Sequence, residues 1–228
     1  MTCPVFGLGI KNTYSLIWKV SHDFVNRIAN KTKAAAWFVS HCKTRSGRQT
    51  YVNSLNNALK QYGLAVDVYG KCGTFECPRN DERDCNNKLK RDYFFYLSME
   101  NSFDEDYVTE KVLLALQHDV VPIVYGGADY SRFLPPGSYI DSRKQPVHQL
   151  AAMMDELIRS PEEYSQYFRW KPHYTFHNPS GVENVCAVCE ALHDKKLLQK
   201  TTIYEDFRSW WYPHFEDRSL NIRAGYWC

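Results

Sequence analysis

The chain has 228 residues, with 28 Lys and Arg against 26 Asp and Glu and a formal net charge of +2, a balance that offers no electrostatic case for a nucleic-acid partner. No run of about 18 or more apolar residues occurs, so no segment reads as membrane-spanning, and Met1–Val20 lacks the charged start and cleavage site of a secretory signal. The length fits one domain with tails, large enough to bury its own core, and the 15% aromatic content, with tyrosine its commonest member, suits either a sugar-handling surface or a core short of leucine.

Residues 1–33 read as a lead-in without a strand of their own. A strand at 35–39 opens the ordered part, followed by a helix at 46–61, a strand at 64–69, a helix at about 81–89 and a strand at 92–98. A helix at 109–117, a strand at 120–125, a helix at 128–133 and a short strand at 138–141 come next. Helices at 147–158, 161–169 and 182–194 and a helical turn around 203–211 close the chain. This alternation predicts an α/β fold, a Rossmann-like parallel sheet with flanking helices. Leu150, Met153, Met154, Leu157 and Ile158 recur at helical spacing and read as core, and the tail Trp210-Trp211-Tyr212 is expected to pack back on the domain.

The stretch from Met99 to Lys111 carries most of the chemistry. Tyr93-Phe94-Phe95-Tyr96-Leu97 reads as a strand covered on both faces. After the polar run, Thr109 is a plausible N-cap, with Glu110 in the first helical turn. Val120-Val121-Pro122-Ile123-Val124-Tyr125 then leads to Gly126-Gly127. Strand, loop, helix and strand make a βαβ unit, whose ligands gather at the carboxyl ends of the strands. A lysine early in a helix opposes the macrodipole, so Lys111 suggests an anionic ligand such as phosphate; the alternative is a solvated lysine paired with Asp106 or Glu110. Glu110 suits a sugar hydroxyl or a developing cationic carbon, or else only first-turn stabilisation of about 0.3–1 kcal/mol. Asn101 and Tyr107 suit hydroxyl or phosphate oxygens, or turn formation and partial burial. Gly126-Gly127 permits close backbone approach to a phosphate. Neither G-x-G-x-x-G after a strand nor G-x-x-x-x-G-K-[ST] is present, so the sequence supports neither a dinucleotide-binding dehydrogenase nor a P-loop NTPase.

The cysteines are Cys3, Cys42, Cys72, Cys77, Cys85, Cys186, Cys189 and Cys228. Only Cys186 and Cys189 form a C-x-x-C, and no spacing matches a standard zinc finger. Disulfides in an oxidising compartment are the preferred reading, with connectivity left open. Asn30-Lys31-Thr32 is an N-glycosylation sequon, consistent with that compartment, whereas Asn178-Pro179-Ser180 is excluded by its proline.

Four segments together resemble the α-1,3-fucosyltransferases, glycosyltransferase family 10, in their donor-binding C-terminal half. They are Tyr96-Leu97-Ser98-Met99-Glu100-Asn101-Ser102, Asp106-Tyr107-Val108-Thr109-Glu110-Lys111, Val121-Pro122-Ile123-Val124-Tyr125-Gly126, and the run from Ala128 to Ile140. The likeness extends upstream through Trp37-Phe38-Val39-Ser40-His41-Cys42 and Arg48-Gln49-Thr50-Tyr51, and downstream through Trp170 to Cys186-Ala187-Val188-Cys189. Met99 stands where the family usually has Phe, and His41 where Asn is more usual.

The resemblance implies the C-terminal domain of a glycosyltransferase-B arrangement, with residues 34–195 binding GDP-fucose, residues 1–33 an N-terminal remnant and residues 196–228 a helical, aromatic tail. It assigns Arg48, Tyr107 and Lys111 to the donor phosphates, Asn101 to the same pocket, and Glu110 to the fucose near its anomeric carbon as the catalytic residue of this half. A planar guanidinium suits bidentate phosphate binding. The implied reaction is inverting transfer of fucose from GDP-fucose to a GlcNAc-containing glycan on a glycoprotein or glycolipid. Arg48 and Lys111 supply charge to the departing GDP without a metal; manganese stimulation is a family trait, and no bound metal is implied. Asp104-Glu105-Asp106 has only the outline of a metal motif and reads as solvated acid. The family's acceptor-binding domain, its general base and its Golgi type II membrane anchor have no counterpart here, so the chain reads as the donor half of a longer protein. The alternative readings are a catalytically inactive nucleotide-sugar-binding module and a disulfide-stabilised interaction domain of the secretory pathway.

Overall fold

The structure, a computed structural model, describes residues 7–10, 20–78, 82–177, 181–201 and 203–207. The chain divides into two compact units, Met1–Asn178 and Pro179–Cys228. In the first, β1 (Gly7–Ile10), α1 (His22–Ala29), β2 (Lys33–Phe38), α2 (Arg48–Leu59), β3 (Val66–Tyr69) and α3 (Glu82–Asp92) precede β4 (Tyr93–Met99). They are followed by α4 (Glu110–Gln117), β5 (Val121–Tyr125), β6 (Ile140–Asp141), α5 (Val147–Arg159), α6 (Pro161–Gln166) and β7 (Tyr174–His177). The second unit holds α7 (Gly181–His193) and α8 (Lys195–Leu198), the latter capped by Asp194, whose Oδ1 accepts from the Lys196 N–H at 2.8 Å.

Five strands form one sheet in the order β3-β2-β4-β5-β6, and every neighbouring pair is parallel. This is the expected Rossmann-like α/β architecture. The chain steps outward from β2 to β3, then returns to β4 on the other side of β2 and continues outward. The strand order thus reverses between β2 and β4, the point at which doubly wound sheets open a crevice at their carboxyl ends.

Burial explains the order. All seven residues of β4 are buried, as a central strand covered on both faces requires. On one face α1, α2, α5 and α6 bring Phe24, Ile28, Leu55, Leu59, Met154 and Tyr164 onto Ala35, Trp37, Phe95, Leu97 and Ile123. Leu89 of α3 and Ala115 of α4 belong to a separate core cluster with Ala36, Tyr69, Tyr93 and Tyr96. Val112 and Leu116 extend α4 onto Val124, Tyr130, Leu134 and Trp170.

Several elements differ from the sequence expectation. The lead-in contributes α1, capped by the Ser21 hydroxyl accepting from the Phe24 N–H at 3.2 Å, with Phe24 against Phe168 at a centroid distance of 5.0 Å. Its apolar residues do lie on one face, with Phe24 and Ile28 buried, but two turns are too short a window for that pattern to stand out in sequence. β1 pairs antiparallel with β7, from Gly7↔His177 to Ile10↔Tyr174, a short long-range pairing without a local signature. The helix expected from 46 starts at Arg48 because Gly47 takes φ 65 at the N-cap, a left-handed backbone that glycine adopts freely. The helix expected at 128–133 is a 3₁₀ turn over Tyr130–Arg132, with Asp129 Oδ1 accepting from the Ser131 N–H at 3.1 Å. The helix expected to 169 stops at Gln166. Of the helical turn expected around 203–211, residues 205–206 form a turn and 207 is helical, while 208–211 and Trp210-Trp211-Tyr212 lie outside the described residues.

Two disulfides form, Cys42–Cys72 and Cys77–Cys85. The first ties the segment after β2 to the segment after β3, both at the carboxyl end of the sheet. Cys186 and Cys189 are exposed free thiols, which corrects the expectation of disulfides for that pair; Cys3 and Cys228 lie outside the described residues. Among the described residues no helix is long and apolar enough to cross a membrane.

Candidate functional site

Three segments meet at the carboxyl end of the sheet: the one after β2, the one after β4 and the Gly126-Gly127 turn after β5. Arg48 joins the first two. It is 3% exposed, and its guanidinium donates from Nη1 to the Met99 carbonyl at 2.7 Å and from Nη2 to the His41 carbonyl at 2.8 Å. One planar group thus spans the switch point between β2 and β4. The ring of Trp37 lies 5.5 Å from its Cζ, and its Nε is buried without a partner among the described residues. Burial lowers the Arg48 pKa, opposed by the nearby Glu100 and Tyr107. The Ser46 N–H adds a bond to the Asn101 carbonyl at 3.1 Å, and the Tyr125 hydroxyl donates to the Ser46 carbonyl at 3.3 Å.

Glu100 is the feature that sequence reasoning left without a role. It is 1% exposed, and its own N–H continues the ladder to the Tyr125 carbonyl at 2.8 Å. Its carboxylate accepts from the Thr109 N–H at 2.9 Å, from the Thr109 hydroxyl at 2.8 Å and from Lys111 Nζ at 2.9 Å. Lys111 Nζ also donates to Thr109 Oγ1 at 2.6 Å. The alternative pairing of Lys111 with Asp106 is thereby corrected, whereas the pairing with Glu110 does form, as a longer contact secondary to Glu100. Asp106 pairs with Arg132 at 2.6 Å, and Glu110 Oε1 stays 3.8 Å away with its side chain 77% exposed. Thr109 does occupy the N-cap of α4, yet its side chain makes no cap bond. The anion at the backbone of this helix start is the protein's own carboxylate. No local signal in the sequence singles out this acid among its neighbours, because its burial is set by contacts with Thr109, Lys111 and Gly126.

Gly126 and Gly127 owe their identity to loop packing rather than to an open phosphate cradle. A Cβ on Gly126 would run into the Tyr130 hydroxyl and come within 3.1 Å of Glu100 Cγ; one on Gly127 would lie 2.5 Å from the Asp104 N. Tyr130 is buried, and its hydroxyl has no partner among the described residues. Burial, with the Glu100 charge beside it, raises its pKa.

The remaining expected residues fall close by. Tyr107 is half-buried, its N–H bonded to the Asp104 carbonyl at 3.3 Å. Asn101 keeps Oδ1 buried and without a partner among the described residues. Asp104, Glu105 and Asp106 are exposed, and among the described residues no group of three metal-ligating side chains assembles.

Two features went unread in the sequence. One is an aromatic wall in which Tyr51 stacks on Tyr125 at 4.5 Å and Phe103 meets Tyr125 edge-on at 4.8 Å, with the Arg143 guanidinium 5.8 Å from the Phe103 ring. The other is an open depression at the start of α2 lined by Cys42, Lys43, Thr44, Arg45, Gly47, Gln49 and Thr50. No side chain caps that helix start, so backbone N–H groups and two cations face the same space, an arrangement suited to an anion.

A family model described as glycosyltransferase family 10 (fucosyltransferase) C-term matches residues 28–210. The α-(1,3)-fucosyltransferase C of Drosophila melanogaster is 44% identical over 201 residues, which is 87% of this chain and 43% of that protein. The glycoprotein 3-α-L-fucosyltransferase A of the same organism is 40% identical over 192 residues, or 82% of this chain and 36% of that protein. The chain thus spans less than half the length of these curated relatives. A crystal structure titled α1,3-fucosyltransferase with GDP-fucose superposes with a TM-score of 0.56 at 20% identity, covering 81% of this chain and 54% of that one; a likeness at that identity bears on the fold.

Proposed function

The chain belongs to glycosyltransferase family 10, the fucosyltransferases, and from that premise we propose that it seats GDP-fucose at the carboxyl end of its sheet. There it serves inverting transfer of fucose to a GlcNAc-containing glycan. The observation that carries this reading is that Glu100, just past the carboxyl end of β4, acts on two cations there: its carboxylate pairs with Lys111 at 2.9 Å and its charge bears on the buried Arg48.

In this reading the residues divide the work. Lys111 reaches the donor phosphates from the start of α4, Arg48 adds a fixed positive charge from beneath, and Tyr107 and Asn101 supply hydroxyl and amide groups. Charge that grows on the departing GDP meets cations already in place, and the site reorganises little as the bond to the fucose carbon breaks. Glu110 is the acid assigned to the sugar: it is exposed, and its ion pair with Lys111 is the longer one, 3.8 Å against 2.9 Å for Glu100. There it stabilises positive charge on the anomeric carbon. The general base that takes the acceptor hydroxyl's proton is assigned to no residue of this chain. The domain is then the C-terminal half of a glycosyltransferase-B pair. A lumenal Golgi setting fits the two disulfides.

Titration calorimetry of the folded chain with GDP and GDP-fucose tests the donor seat, and heat-silent titrations of both would overturn it. Transfer of labelled fucose to a GlcNAc-bearing glycan by the same chain tests whether this half suffices for turnover.

A further inference from the structure

We infer that Glu100 is the positioning residue of the donor site: its buried carboxylate fixes the Lys111 ammonium and the first turn of α4 in the geometry that receives a diphosphate. The inference rests on the donor seat proposed above.

A carboxylate this deeply buried is costly unless its oxygens are satisfied. Here they take one backbone N–H, one hydroxyl and one ammonium, all from Thr109 and Lys111. Glu100 is thus bound to the start of α4 by both main chain and side chain. Gly126 leaves it the room to turn inward, since a Cβ there would press on Glu100 Cβ and Cγ at 3.3 and 3.1 Å.

The effect on Lys111 is specific. An ammonium in the first turn is disfavoured by the helix dipole, and Glu100 offsets that locally. An ammonium has three N–H groups. One meets Glu100 Oε2 at 2.9 Å and one meets Thr109 Oγ1 at 2.6 Å, while Glu110 Oε1 at 3.8 Å lies beyond hydrogen-bond reach. The third is left for a ligand oxygen. The side chain is 18% exposed, so the amine is held at the edge of the crevice rather than swinging in solvent. The carbonyl of Met99, the residue just before Glu100, takes Arg48 Nη1 at 2.7 Å. One short segment therefore sets both cations.

Glu100→Gln keeps the shape and removes the charge that holds the amine. Titration with GDP is expected to show Glu100→Gln and Lys111→Met each weakening binding about tenfold, as loss of a charge-assisted contact implies. The double variant is expected to bind no more weakly than Lys111→Met alone. Unchanged GDP affinity in Glu100→Gln overturns the inference, and so does a full further loss in the Lys111→Met background. Acetylation of Lys111 by acetic anhydride, followed by peptide mass spectrometry, reads the pair without any nucleotide. The rate rises in Glu100→Gln if the carboxylate holds the amine, and equal rates overturn the inference. This labelling also separates the two claims, because a wild-type chain that ignores GDP defeats the donor seat while leaving the labelling result to decide the Glu100–Lys111 pair. Thr109→Val, which cuts the hydroxyl between acid and amine, gives the same labelling comparison should Glu100→Gln fail to fold.

Discussion

Arg48 and Met99 are joined across the reversal of strand order, the guanidinium of one donating to the main-chain carbonyl of the other at 2.7 Å. A second donation to His41 at 2.8 Å makes the same side chain a clasp between the segments after β2 and β4. Arg48→Ala leaves two carbonyls short of a donor and opens a cavity beside Trp37, so unfolding free energy should fall by about 2–4 kcal/mol. Arg48→Lys retains charge but not the planar fork, and should recover only part of the loss. Urea unfolding of the three proteins checks the order; a fully stable Arg48→Ala would mean that the clasp is incidental.

The Cys42–Cys72 disulfide closes a span of 30 residues and Cys77–Cys85 one of 8. Chain-entropy reasoning gives about 3.6 kcal/mol for the first and about 2.5 kcal/mol for the second. Replacing Cys42 and Cys72 by Ser should therefore destabilise more than replacing Cys77 and Cys85. It should also weaken GDP binding, because it frees the segment that carries His41. Denaturant melts and nucleotide titrations of both double variants decide it, and equal effects on binding would argue against a role for the first disulfide in shaping the crevice.

Lys31 gives the fold a pH dependence at the opposite end of the sheet. The residue is 6% exposed, and its ammonium donates to the carbonyls of Lys90 at 2.5 Å and Tyr93 at 2.8 Å. Burial outweighs the attraction of Asp119 and Asp92 and brings its pKa from 10.5 down to about 7. Below pH 7 both folded and unfolded chains carry the proton. Above it the folded chain releases a proton that the unfolded chain keeps up to about 10.5, so stability rises with pH through that interval. Tyr93, Tyr96 and Tyr164 have raised pKa values and act in the other direction once unfolded tyrosines ionise, which confines the clean window to about pH 7–9.5. Urea melts across that window should show rising midpoints in the wild type and a flatter profile in Lys31→Met. A wild-type midpoint that falls from pH 7 to 9 would contradict the assignment.

The parallel sheet was legible because its strands announce themselves: Tyr93–Met99 and Val121–Tyr125 are apolar runs too dense for anything but a doubly covered sheet. The convergence of Arg48 with the Met99–Lys111 stretch was legible only through family resemblance, since the two lie on different strand–helix connections. The inward turn of Glu100 was not legible at all. Glu100, Asp104, Glu105, Asp106 and Glu110 are five acids within one short segment, and nothing local says which is buried. The choice is made by Gly126 and Thr109, which leave room and donors for one carboxylate only. The α1 helix and the β1–β7 pairing escaped for a related reason, because their stability comes from Phe168 and from β7, far along the chain.

Glu110 offers the sharpest contrast with Glu100. The two acids both approach the Lys111 amine, but Glu110 is 77% exposed on its side chain and 3.8 Å from Nζ, whereas Glu100 is buried at 2.9 Å. Glu110→Gln should therefore leave the unfolding free energy within about 0.5 kcal/mol of the wild type, as for an exposed position whose one ion pair is long. GDP carries no fucose, so its affinity should also be unchanged. A group that faces the sugar shows itself only when the sugar is present: the preference for GDP-fucose over GDP should shrink by about tenfold, the worth of one charge-assisted contact to a hydroxyl. Parallel titrations with the two nucleotides measure this ratio directly. Should Glu110→Gln weaken both nucleotides equally, the acid acts on the phosphate side through Lys111 and the sugar contact belongs to another residue.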